Sequence, residues 1–225
     1  MDANKYKIGF LTLSTIYLLL LLCDKQTWAV YLKPLLIPIL ILLTYQSKVT
    51  TTPKAILTAL LFSWLGDTIL IFADINPWCF IAGLVFFLIA HIAYIYCFTK
   101  QEAIIQHTHK FQYWFGYTLI LIYLFGFLSF LLPKLGDLQI PVGCYAMTIS
   151  LMLIEALKGH FNWKQKGKTQ ILIGALFFVI SDSILAINKF YNPIPYATLA
   201  IMSTYIIAQY NIITGLLRPA SILNS

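Results

Sequence analysis

Charge is what this chain has least of. Only 10% of its residues are Asp, Glu, Lys or Arg, where an ordinary soluble domain has about 25%. That scarcity, set against 60% hydrophobic residues, excludes a soluble fold with a solvated surface. Cysteine is nearly as sparse: Cys23, Cys79, Cys97 and Cys144 form no CxxC or other metal-like pair, so a disulfide framework and a cysteine-held metal are both set aside. They read as four isolated helix cysteines, although Cys23 and Cys79 both lie near the outer ends of their spans and a disulfide between them is conceivable. Of four histidines, His91 alone falls within a long apolar stretch. No segment between the apolar stretches is long enough to hold a soluble domain. No small-residue cleavage site follows the first apolar run, so that run is kept as a membrane span instead of a signal peptide.

Eight apolar stretches are present, at about 8–23, 28–45, 53–73, 78–98, 112–132, 138–158, 169–190 and 195–217. At ~1.5 Å per residue each is long enough to cross, or nearly cross, a hydrocarbon core of about 30 Å. The expected architecture is therefore all-α: one integral membrane domain over 1–225, a bundle of eight transmembrane helices. Basic residues set its orientation, because Lys and Arg near helix ends stay in the cytoplasm. Lys5, Lys7, Lys48, Lys54, Lys100, Lys110, Lys158, Lys164, Lys166, Lys168 and Arg218 fall on one side, and Lys25, Lys33, Lys134 and Lys189 on the other. This split puts both termini in the cytoplasm, in keeping with a bacterial cytoplasmic membrane. It also accounts for the net charge of +7 with no nucleic-acid partner.

Two carboxylates interrupt the hydrocarbon. Asp67 in LLFSWLGDTIL and Asp182 in ALFFVISDSIL share the frame L-F-x-x-x-x-D-x-I-L. Both stretches run outward, so the likeness is that of a parallel repeat and suggests two four-helix halves, roughly 1–110 and 111–225. A carboxylate in hydrocarbon costs several kcal/mol unless paired, hydrated or protonated. Asp67 is expected about six residues, or ~9 Å, from the outer end of its span, and Asp182 about eight, or ~12 Å. Ser63, Gly66 and Asp67 share a face that offers small residues to a neighbouring helix.

Other polar residues gather at similar depths. Lys33, in KPLLIP, either snorkels outward, holds a lipid phosphate or pairs with an aspartate. Pro34 and Pro38 beside it free backbone carbonyls that need partners in a membrane. Gly83, Phe87, His91 and Tyr94 form one stripe of the fourth span. Tyr145 lies at a depth comparable to the aspartates, and Asn188 and Lys189 follow Asp182. Tyr205, Gln209 and Asn211 bring polar groups to the last span. Together they outline a pocket that opens near the lipid glycerol level. The first span reads as lipid-facing and the fifth as scaffold with an interfacial aromatic belt; His107 and His109 read as solvated, Asp74 as a hydrated turn residue, and Glu155 as the partner of Lys158. Two carboxyls in an apolar site suit acid–base chemistry through an oxocarbenium-like state. The same pattern also permits a proton-coupled carrier or a purely structural pair.

The motifs KPLLIP, FSWLGD, FFLIAHIAY, GALFFVISDSILAINKF and the AQ of the last span resemble the YhhN-type lysoplasmalogenase family over nearly the whole chain. The resemblance implies an eight-span hydrolase. Its reaction would be cleavage of the vinyl ether bond of lysoplasmalogens to a fatty aldehyde and glycerophosphocholine or glycerophosphoethanolamine. Asp67 and Asp182 match the family's intramembrane aspartates, and Lys33, His91, Tyr94, Asn188 and Gln209 its other polar motif positions. A lysophospholipid substrate and surrounding membrane lipid are the implied partners, and no cofactor is expected. A ceramidase-like zinc site would need several histidine ligands, so no metal is expected either. The charge asymmetry makes its own prediction: reporter fusions at residue 1 and residue 225 should both report the cytoplasm, and a periplasmic signal from either would overturn the assigned orientation.

Overall fold

The computed structural model describes residues 3–47, 52–103 and 110–218, and His107 and His109 lie outside the described residues. The eight expected helices are present: α1 (Ala3–Leu22), α2 (Gln26–Gln46), α3 (Pro53–Leu70), α4 (Pro77–Thr99), α5 (Lys110–Leu131), α6 (Gln139–Asn162), α7 (Lys168–Phe190) and α8 (Ala197–Leu216). All eight helices are long and apolar enough to cross a membrane, and the chain is an integral, multi-pass membrane protein. Three boundaries differ by three residues or more from the sequence reading. α1 begins at Ala3, five residues before the expected start. α3 stops at Leu70, and the chain then turns with Phe72 and Ala73 donating to Ile69 and Leu70, which leaves Asp67 three residues from the helix end. α6 runs on to Asn162, so Glu155 lies a full two turns inside it; Lys158 pairs with that carboxylate at 3.4 Å, as expected.

The contacts divide the chain into two compact units, 1–97 and 98–225. In the first, α1 packs on α2 and α2 on α3. Glycines set the approach of α4 to α3: a Cβ on Gly66 would stand 2.7 Å from the ring of Phe87, and one on Gly83 2.6 Å from Leu70. Asn76 caps the entry to α4 by accepting from the Trp78 amide at 3.0 Å, the usual service of an Asn before a helix that begins with Pro. Asp74 is exposed in the turn, as expected. Outside this core the surface is apolar, with Leu19, Leu22, Leu35, Leu42 and Val85 exposed. A face toward lipid calls for this surface, since hydrocarbon is no worse a neighbour to Leu than another side chain is.

In the second unit α5 packs on α6, α6 on α7, and most extensively α7 on α8. α7 and α8 lie almost backbone to backbone. A Cβ on Gly174 would come within 2.8 Å of the Ala208 carbonyl oxygen and the Ile212 nitrogen, and Gly167 lies directly against Gly215. Small residues drive helix association in lipid because they permit this approach. Ser181 Oγ adds a bond to the Ile201 carbonyl at 3.0 Å. The carbonyls left over at the end of α8 are collected by Gln165, whose Nε2 donates to Gly215 at 3.0 Å and Leu216 at 3.1 Å and also to Arg218. α5 carries the expected aromatic belt, with Trp114 edge-on to Tyr113 and Tyr117 at 5.6 and 5.5 Å.

The α7–α8 seam is the least tolerant place in this unit. Gly174→Ala is expected to lower stability by about 1–3 kcal/mol through overpacking against backbone atoms. Gly126→Ala, where the added carbon meets nothing within 4 Å, should cause no loss. Thermal unfolding of both variants in detergent measures the contrast.

Candidate functional site

Each unit holds one intramembrane aspartate in its own polar cluster. In the first, Asp67 is 3% exposed on α3, on the buried face it shares with Ser63 and Gly66. Lys33 of α2 faces it, with Nζ 3.9 Å from Oδ1. Of the three readings left open for Lys33, pairing with an aspartate is the one realised. At 3.9 Å the two charges attract but do not hydrogen-bond directly.

Backbone chemistry places that lysine. Pro38 has no N–H to give the carbonyl of Pro34 one turn earlier, and the indole of Trp64 on α3 supplies the missing donor at 2.8 Å. Trp64 and Asp67 stand three residues apart on α3, one above the other. Anchoring the tryptophan to Pro34 therefore brings the neighbouring Lys33 opposite the carboxylate. Tyr17, 2% exposed on α1, is close enough to feel the charge of Asp67. α1 is thus lipid-facing over most of its surface, but it buries a stripe of Phe10, Ser14, Tyr17 and Leu21. His91 and Tyr94 are fully buried on the expected stripe of α4 with Gly83 and Phe87.

In the second unit, Tyr145 of α6 donates its hydroxyl to Asp182 Oδ2. Beside it, Ser183 donates to the Val179 carbonyl. That spends the only serine proton, so the Tyr123 hydroxyl, bonded to the same oxygen, must be the donor there. These residues border a crevice between α5, α6 and α7 with an open mouth. It encloses about 370 Å³, mouth included. Its accessible wall is almost wholly hydrocarbon. Ser150, deeper on α6, has a buried hydroxyl without a hydrogen-bond partner among the described residues.

The other expected residues of this unit make contacts of their own. Asn188 Oδ1 accepts from the Ile194 amide at 2.8 Å and so shapes the α7–α8 turn. Lys189 is exposed at the end of α7. Tyr205 and Gln209 are buried on α8, bonded to each other at 3.2 Å, with Tyr205 edge-on to Phe178. Asn211 bonds its own helix at the Ile207 carbonyl. Cys23, Cys79, Cys97 and Cys144 are free thiols, so Cys23 and Cys79 are not joined.

Four participants were missed. Tyr17 lies in a span read as lipid-facing. Trp64 lay inside the FSWLGD motif without a role, and Tyr123 inside a span read as scaffold. Ser183 was one of two serines flanking an aspartate. The available signal was the same each time: a side chain with a hydrogen-bonding group, more than a turn inside an apolar helix, needs a partner.

Comparison with known proteins adds an independent finding. Residues 28–216 match the model of the YhhN family. The chain is 33% identical to a human protein named lysoplasmalogenase TMEM86A over 161 residues, which is 68% of this chain and 61% of that one. It is 34% identical to human lysoplasmalogenase TMEM86B over 164 residues, 71% and 62% of the two chains. With pig lysoplasmalogenase TMEM86B it shares 30% identity over 209 residues, 89% and 80%. The match thus spans somewhat less than two thirds of the length of the human relatives. No solved structure matches the chain.

The Lys33–Asp67 pair makes a prediction about stability. Lys33→Met strands a buried carboxylate and should cost about 3 kcal/mol, whereas the double variant Lys33→Met/Asp67→Asn should recover most of that loss. Unfolding of the single and double variants closes the cycle; purely additive losses would mean the two charges do not interact.

Proposed function

Because the chain belongs to the YhhN family, we propose that it is a lysoplasmalogen hydrolase that works by aspartate acid–base catalysis within the membrane. The observation that carries this reading is the match to proteins named lysoplasmalogenases across 68% to 89% of this chain. The chemistry of the residues agrees with it. A vinyl ether is opened by protonation at its β-carbon, which leaves an oxocarbenium ion. Water adds to that ion and gives up a proton, and the hemiacetal collapses to an aldehyde and an alcohol. The protein must deliver one proton and accept one, and carboxyls with few charged neighbours serve both needs.

Asp67 and Asp182 are the proposed acid–base groups. Lys33 and Tyr145 are proposed to hold them, by charge in the first case and by a donated hydrogen bond in the second. His91, Tyr94, Asn188, Lys189, Tyr205 and Gln209 are proposed as supporting or substrate-binding positions, with Asn188 acting through the shape of the α7–α8 turn. The substrate would be a lysophospholipid carrying an sn-1 alkenyl chain and a choline or ethanolamine headgroup. The proposed setting is a bacterial cytoplasmic membrane with both termini inside.

Purified protein incubated with a lysoplasmalogen should release free aldehyde and the glycerophosphodiester in equal amounts. Asp67→Asn and Asp182→Asn should each lower kcat by on the order of 10² or more while the protein remains folded. Undiminished turnover in a folded variant would remove that aspartate from the mechanism. A proton-coupled carrier would instead take up solute into vesicles along a pH gradient and convert none of it.

A further inference from the structure

The crevice beside Asp182 is built for one part of an amphiphile. Along α6 its wall runs from Val142 to Ser150, about 12 Å at ~1.5 Å per residue, with Phe127 of α5 and Ala186 of α7 completing the sides. Four hydroxyls are present on this wall, and three of their protons are already placed: Tyr145 donates to Asp182, Tyr123 to Ser183, and Ser183 to the Val179 carbonyl, which leaves the Ser150 hydroxyl alone without a partner among the described residues. No Lys, Arg or His is among the residues that line it. A phosphate needs cations or several free donors, and this crevice has neither to offer. Its bore is narrow, which favours an unbranched occupant. A straight hydrocarbon chain meets all these limits, since it asks only for dry, apolar contact.

We propose that this crevice seats the alkenyl chain and leaves the headgroup outside, so that the Asp182 carboxyl stands against the vinyl ether carbons and the far end of the crevice takes carbons that only a longer chain has. The assignment rests on the lysoplasmalogen reading above. It makes Ala146 and Phe127 specificity-determining residues: the first is small enough to leave the bore open, and the second narrows it from the α5 side.

Two measurements test this. A lysoplasmalogen carrying a diazirine on the alkenyl chain, photolysed with the wild-type protein, should label peptides within 123–127, 142–150 or 179–186; label confined to other segments overturns the assignment. In turnover assays with a short-chain and a long-chain lysoplasmalogen, Ala146→Leu should raise KM for the long chain relative to the short by about tenfold, the scale of one or two misplaced methylenes. Phe127→Ala should move the ratio the opposite way. A ratio unmoved in folded variants overturns the assignment. So does a fall in kcat of Ser150→Ala with the ratio unmoved, which would identify the occupant as water held by that hydroxyl. Should Ala146→Leu fail to fold, Phe127→Ala and the photolabel decide. The hydrolase reading fails separately: wild-type protein that releases no aldehyde while the label lands in the crevice leaves the chain site standing without the reaction.

Discussion

A hydrogen bond from the Trp64 indole to the Pro34 carbonyl is the contact from which the first unit is best understood. In hydrocarbon a backbone group without a partner costs several kcal/mol, and Pro38 creates such a group by withholding its donor. The chain meets that demand with a side chain from the next helix instead of with water. A local defect in α2 thereby becomes a long-range tie. Through it the register of α2 against α3 is set, Lys33 comes to Asp67, and the small face of Ser63 and Gly66 is left for close packing by α4.

The second unit satisfies the same requirement by different means. Here α7 and α8 contain no proline and meet through glycines. The polar groups are arranged as a directed set of donors, in which Tyr123, Ser183 and Tyr145 each give a proton to an acceptor one step away. The two aspartates share a sequence frame, yet their neighbours differ in kind: an ammonium beside Asp67, a phenol hydroxyl on Asp182. Repeat-like sequence does not oblige repeat-like chemistry, because the partners come from helices whose sequences differ.

These arrangements also show why polar side chains deep in apolar helices are informative. In a soluble protein a serine or tyrosine at such a position can turn to water. In a bilayer it cannot, so its presence in most cases announces a partner within the protein, the buried Ser14 and Ser150 hydroxyls being exceptions among the described residues. Lys33, Tyr145, Trp64 and Tyr123 all keep to that rule. It does not say which helix supplies the partner: α1, read as lipid-facing, and α5, read as scaffold, each have a large exposed surface and each turn one tyrosine toward a neighbouring helix.

From the sequence alone came the eight spans, the two intramembrane carboxylates, the family resemblance and the expectation that the carbonyls freed by proline would find partners. Those features depend on hydropathy, on the cost of a charge in hydrocarbon and on motifs, all of which are written along one chain. Only the tertiary structure decided that Lys33 pairs instead of snorkelling, that the donor to Pro34 is Trp64, and that Asn188 braces a turn. It also decided that Tyr123 and Ser183 stand on the same crevice as Asp182. Those choices depend on the rotation and depth of one helix against another, and helices of nearly uniform hydrophobicity carry little amphipathic signal from which to read either. Asp67 and Asp182 were visible as expensive residues from the start; what surrounds each of them is a property of the packing.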